Sequence, residues 1–168
     1  PSSVSFVDEQ WPTRHPYPRG PHGKSSGAAS RVYAHGSSVP WRQHHIVRIL
    51  LTNDDGITSD GLWAAARGLA RLGHLTVIGT ADDWSGGSAS IRLSYGAKLA
   101  RFTDVPSDLG PNVEAYSLEA APGGAILTGL MTGLFEPFDL VASGANYGIN
   151  VGADLVHSGT LGAAVTGY

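Results

Sequence analysis

Cysteine is missing from this 168-residue chain. That excludes disulfides, thiolate metal sites and a cysteine nucleophile; it is compatible with a reducing cytosol, and a cytoplasmic protein is expected. Charge is sparse and nearly balanced, at a net −3, which leaves no basic footprint for duplex nucleic acid or an anionic membrane surface. No uninterrupted apolar run approaches the roughly 18 residues that a membrane span requires. Lysine occurs only at Lys24 and Lys98. The length suits one domain able to bury a real core.

Glycine, by contrast, is abundant at 23 residues, which suggests tight loops and close backbone approach. The chain is organised around Ile46-Val47-Arg48-Ile49-Leu50-Leu51-Thr52-Asn53-Asp54-Asp55-Gly56. Its largely β-branched apolar run fits a strand buried on both faces of a parallel sheet, and it ends in an amide, two carboxylates and a glycine. In open α/β sheets ligands bind outside the carboxyl ends of the strands, which is where Asp54 and Asp55 fall. Adjacent carboxylates repel unless a cation lies between them, and oxygen-only ligands point to a hard ion such as Mg2+, Mn2+ or Ca2+. Asn53 to Gly56 are also ordinary turn formers that cap a helix. The motif alone does not decide between the two.

Residues 1–45 scatter prolines among serines, glycines and five histidines without periodicity, and read as a disordered tail. Residues 46–168 read as one domain. Leu62, Ala65, Ala66, Leu69 and Leu72 recur at helical spacing behind a Ser59 or Asp60 cap, with Gly73 closing the helix. Leu75–Gly79 is a second strand, giving a βαβ start to a doubly wound sheet. The hydroxyl-rich loop from Ala81 to Ser90 can meet a phosphate or cation, or be plain surface; it matches neither a dinucleotide fingerprint nor a P-loop. Ile91 to Phe102 reads as a hairpin or extended excursion, and Val113–Leu118 as a strand. Pro122-Gly123-Gly124 opens a helix across Ala125–Leu134, and Phe138–Ala142 is another buried strand. Asn146, in the loop that follows, offers a neutral oxygen ligand, and Ser158-Gly159-Thr160 begins a last helix over Leu161–Gly167. That helix start either holds an anion or is a simple N-cap, with His157 before it as a structural residue. Asp54/Asp55, Ser85 and Asn146 thus follow three strands, whose loops converge on one edge of a parallel sheet. A hard cation beside an anion-binding helix start is equipment for phosphoryl chemistry.

Ile49 to Gly56, Trp84-Ser85-Gly86, Ser143 to Gly152 and Ser158-Gly159-Thr160 resemble, in order and spacing, the SurE family of stationary-phase survival proteins. The resemblance covers residues 46–168. It implies a Rossmann-like three-layer α/β/α sandwich with a mainly parallel sheet. It also implies a metal-dependent nucleotidase that releases phosphate from nucleoside 5′- and 3′-monophosphates, a phosphoric monoester hydrolase related to acid phosphatases. By the same resemblance Asp54, Asp55, Ser85 and Asn146 would ligate Mg2+ or Mn2+, with Asp54 and Asp55 catalytic. Asn53, Asn150, Ser158, Gly159 and Thr160 would surround the phosphate, and the protein would form homodimers or homotetramers.

There are departures. Family members usually continue well beyond the Ser-Gly-Thr helix, so a C-terminally truncated domain is expected. Ala120-Ala121-Pro122-Gly123-Gly124-Ala125 stands where the family usually has Gly-Thr-Pro-x-Asp-Cys, which removes polar groups from the substrate side rather than from the metal site. An alternative is a non-catalytic fragment that binds metal or nucleotide. A receiver-type signalling domain fits less well: it needs an aspartate after its third strand and a lysine after its fifth, and Ser117-Leu118-Glu119 and the two lysines offer neither. A haloacid-dehalogenase phosphatase needs its two aspartates separated by one residue.

Overall fold

The structure, a computed structural model, describes residues 3–5, 46–91 and 97–168. The tail expected over residues 1–45 lies outside the described residues except for Ser3–Ser5, which form a short strand, β1. The remaining elements are β2 (Val47–Thr52), α1 (Asp60–Leu69), β3 (Gly73–Thr80), β4 (Lys98–Arg101), β5 (Val113–Leu118), α2 (Pro122–Met131), β6 (Leu140–Ser143) and α3 (Gly159–Thr166). Two 3-10 helices, Ser107–Leu109 and Gly152–His157, lie in the connections.

One sheet carries the order β1-β4-β5-β3-β2-β6. The four strands β5, β3, β2 and β6 run parallel, while β4 is antiparallel to β5 and β1 to β4. Strand side chains alternate between faces, and that sorts the core into two layers. Ile49 and Leu51 of β2 and Leu75 and Val77 of β3 pack with Leu62, Trp63 and Ala66 of α1. Leu50 and Ile78 point the other way, onto Ala125 and Ile126 of α2 and Ala163 of α3. The result is the expected α/β/α sandwich, and it explains why β2 reads as apolar without alternation: both its faces are covered. Among the described residues no helix is long and apolar enough to cross a membrane.

Some boundaries differ from expectation. Helix α1 ends at Leu69, with Ala70 as its C-cap, and Gly73 opens β3 instead of closing the helix. The Asn112 carboxamide ends the helix by donating to the carbonyls of Ala70 (2.8 Å) and Gly73 (2.6 Å). Gly73 is needed for a different reason: a Cβ there would lie 2.0 Å from the Val47 carbonyl oxygen across the β2–β3 ladder. Helix α2 does open at Pro122, where the missing N–H costs nothing, but it ends at Met131 rather than Leu134. Strand β6 is shifted towards Ser143 and sits at the sheet edge with Leu140 exposed, so it is not buried on both faces. Of the excursion expected over 91–102, residues 92–96 lie outside the described residues, and Lys98–Arg101 form β4.

Candidate functional site

The carboxyl ends of β2, β3 and β6 point to one side of the sheet, as their parallel pairing requires. There the chain encloses a cavity of about 260 Å3 lined by Asp54 from the β2 loop, Ser85 and Gly86 from the β3 loop, Asn146 to Asn150 from the β6 loop, and Asp154, His157 and Ser158 ahead of α3. No lysine or arginine is among these lining residues.

Asp54 is the buried centre of this arrangement, only 2% exposed. The Thr160 hydroxyl donates to its carboxylate and lies 3.2 Å from the Asn146 carboxamide oxygen, so three expected residues meet at one point. The approach of α3 is close enough that a Cβ on Gly159 would stand 2.6 Å from Asp54 Oδ2 and 2.7 Å from Asp54 Cβ. Glycine is the residue that lets a helix start abut this carboxylate. Ser158 is the N-cap: its hydroxyl accepts the Leu161 N–H at 3.1 Å and receives Asn150 Nδ2 at 3.2 Å. The expected helix start is therefore real, two residues ahead of the boundary read from the sequence.

Not every expected residue reaches the wall. Asp55 is not among the lining residues; its Oδ2 accepts the Tyr147 N–H at 2.9 Å. Its carboxyl is raised above the ordinary aspartate value by burial, with Asp54 and Asp83 adding to the rise while the Tyr147 amide opposes it. Asn53 is fully buried and braces the turn, donating to the Gly56 carbonyl (3.0 Å) and the Ser59 hydroxyl (3.1 Å). Its own Oδ1 is buried without a hydrogen-bond partner. The Ser85 hydroxyl and amide both donate to Asp83 Oδ1, at 2.6 and 2.8 Å, which holds the Asp83 carboxyl below its usual range. The turn reading of Asn53 to Gly56 is the one the hydrogen bonds bear out: Asn53 braces the turn that carries Asp54.

Two further wall residues lie on the 3-10 helix Gly152–His157: Asp154, which no periodic signal marks, and His157, which the sequence suggests is structural. Ser88 holds that helix in place: its amide donates to the His157 carbonyl (3.0 Å) and its hydroxyl to the Val156 carbonyl (2.7 Å). Helix α3 lies against the same loop, since a Cβ on Gly162 would be 2.5 Å from the Ser88 carbonyl oxygen.

Among the described residues no three His, Cys, Asp or Glu side chains form a metal-holding group. The donor set at the cavity is of another kind, namely carboxylate, hydroxyl and carboxamide oxygens with the His157 imidazole beside them, on a wall without lysine or arginine. Such a set suits a hard divalent ion, and the uncompensated carboxylates around Asp55 fit one.

The family model described as Survival protein SurE matches residues 49–168. A protein named 5′-nucleotidase SurE from Dehalococcoides mccartyi is 39% identical over 122 residues, covering 73% of this chain and 44% of the relative. A protein of the same name from Methanopyrus kandleri is 42% identical over 122 residues, with the same coverage. The crystal structure of the SurE protein from Aquifex aeolicus matches with a TM-score of 0.58 and 30% identity, covering 71% of this chain and 46% of that one. The chain thus spans less than half the length of the curated relatives it matches.

Proposed function

This chain belongs to the SurE family, and we propose from that premise that its cavity serves the release of phosphate from nucleoside 5′- and 3′-monophosphates. The observation that carries the proposal is the convergence of Asp54, Ser85, Asn146 and Ser158, from four separate segments, on one cavity. We assign a Mg2+ or Mn2+ ion to Asp54, Asp55, Ser85 and Asn146. When bound there, such an ion polarises a phosphoryl oxygen and offsets the charge that develops in the transition state.

The protein's own groups do the rest. Asp54 is held in a single position by the Thr160 hydroxyl and by the Gly159 backbone beside it. Asn150 and the Ser158 hydroxyl, joined at 3.2 Å, form the wall facing the phosphate, and the first amides of α3 lack intrahelical partners. Those amides can hold phosphoryl oxygens as a fixed set of donors. Asn53 supports this set from beneath through the turn it braces. Homodimeric or homotetrameric assembly in the cytoplasm completes the reading.

The test is phosphate release from AMP and GMP with Mn2+ or Mg2+, compared with a chelated control and with Asp54→Asn. Release that disappears in both controls is expected. Release that survives in either would remove the metal assignment, and none from the unmodified protein would remove catalysis by this chain. A second reading is binding of cation and nucleotide without turnover, at the same Asp54, Ser85 and Asn146 oxygens. Heat evolved on Mn2+ titration without phosphate release would support that second reading.

A further inference from the structure

Tyr147 stands out on the cavity wall: 92% of its surface is exposed, as is 82% of Ile149 two residues later. Large aromatic and aliphatic side chains ordinarily gain by burial. Here the backbone keeps them out. The Tyr147 N–H is tied to Asp55 Oδ2 at 2.9 Å, and Asn146 Nδ2 donates to the Gly148 carbonyl at 3.3 Å. Gly148 lies at φ +120°, which turns the chain sharply just past the ring. The tyrosine is thus anchored by its amide to the acidic centre while its ring stands free at the mouth.

The interior mixes polar and apolar surface, with Asp54, Asn150 and Ser158 among its polar groups alongside Ile149 and the glycines, and at about 260 Å3 it is smaller than the roughly 300 Å3 at which pockets begin to enclose a small-molecule ligand whole. A phosphate and its sugar suit that space and chemistry; a base attached to them is left at the mouth. We infer that Tyr147 is the platform on which the base of a nucleotide stacks, with Ile149 extending the apolar surface. This inference rests on the phosphate-site reading above. Every base presents a π-face, so stacking on a tyrosine tolerates base identity. The subsite therefore separates nucleotides from other phosphate monoesters without choosing strongly among bases.

Calorimetric binding of AMP and of ribose 5-phosphate, with Mn2+ present, tests this in the unmodified protein, Tyr147→Ala and Tyr147→Phe. AMP is expected to bind about tenfold tighter than ribose 5-phosphate. Tyr147→Ala should bring that ratio near one, and Tyr147→Phe should preserve it. The exposure of the ring makes both variants compatible with folding, which circular dichroism verifies. A ratio unchanged in Tyr147→Ala, lost equally in Tyr147→Phe, or already near one in the unmodified protein would overturn the platform. If the unmodified protein binds neither phosphate, the phosphate-site reading itself fails and takes the platform with it.

Discussion

At Asp55 the ordinary aspartate value of 3.8 is exceeded, first because the group is partly buried and then because Asp54 and Asp83 repel its charge. A folded-state pKa above the unfolded one means that the native chain holds that proton more tightly. Its contribution to stability is complete below the unfolded value and is lost as pH rises through the raised one. Near neutrality the ionised group therefore works against the cation-free fold. Asp55→Asn keeps an acceptor for the Tyr147 N–H and removes the charge. In urea unfolding at pH 7 without cation, the variant is expected to be more stable than the unmodified chain by a few tenths to about 1 kcal/mol, since the site is mostly solvated. Addition of Mn2+ should reverse the ranking, because an ion that binds only the folded chain stabilises it by about 2.7 kcal/mol at a hundredfold excess over its dissociation constant. An Asp55→Asn protein stabilised by Mn2+ as much as the unmodified one would remove Asp55 from the ion's ligands.

Among the elements, β2 has the most to lose. Leu50 is fully buried between the sheet and α2, and Gly129 of α2 approaches so closely that a Cβ there would be 2.6 Å from Leu50 Cδ2. Leu50→Ala should lower the unfolding free energy by about 2–5 kcal/mol, read from a denaturant midpoint with unchanged slope. How much of this was legible follows from how local each signal is. The strand Val113–Leu118 and the apolar run of β2 were read correctly because their residues alone carry the pattern. The end of α1 was misread at Gly73, because the donor that terminates it is Asn112, some forty residues away. The exposure of β6 was likewise hidden, since being at the edge depends on where α2 delivers the chain. At the site, Asp54, Ser85 and Asn146 were legible as strand-end residues. Asp154 and His157 were not, since hydrogen bonds from the distant Ser88 hold their helix.

Over the whole molecule, exposed apolar side chains gather towards the C-terminal part of the described residues, among them Leu140, Ile149, Val151, Val156, Val165 and Tyr168. Among the described residues Leu140 also belongs to β6, the edge strand of the sheet. Open edges and apolar surface together favour association. Sedimentation velocity is expected to show mass increasing with protein concentration, and Leu140→Lys to weaken that increase. A monomer at every concentration would rule out the β6 edge as an interface. The Ser88 contacts have a consequence for engineering. They join the loop after β3 to the helix before α3 across 68 positions of sequence, so these two pieces are a single transplantable part. A graft of the helix alone onto another α/β scaffold would leave the carbonyls of Val156 and His157 without the Ser88 donors, at up to about 1 kcal/mol each, and a graft of the loop alone would leave Ser88 without its acceptors. Moved as a pair, they carry with them the wall on which the cavity depends.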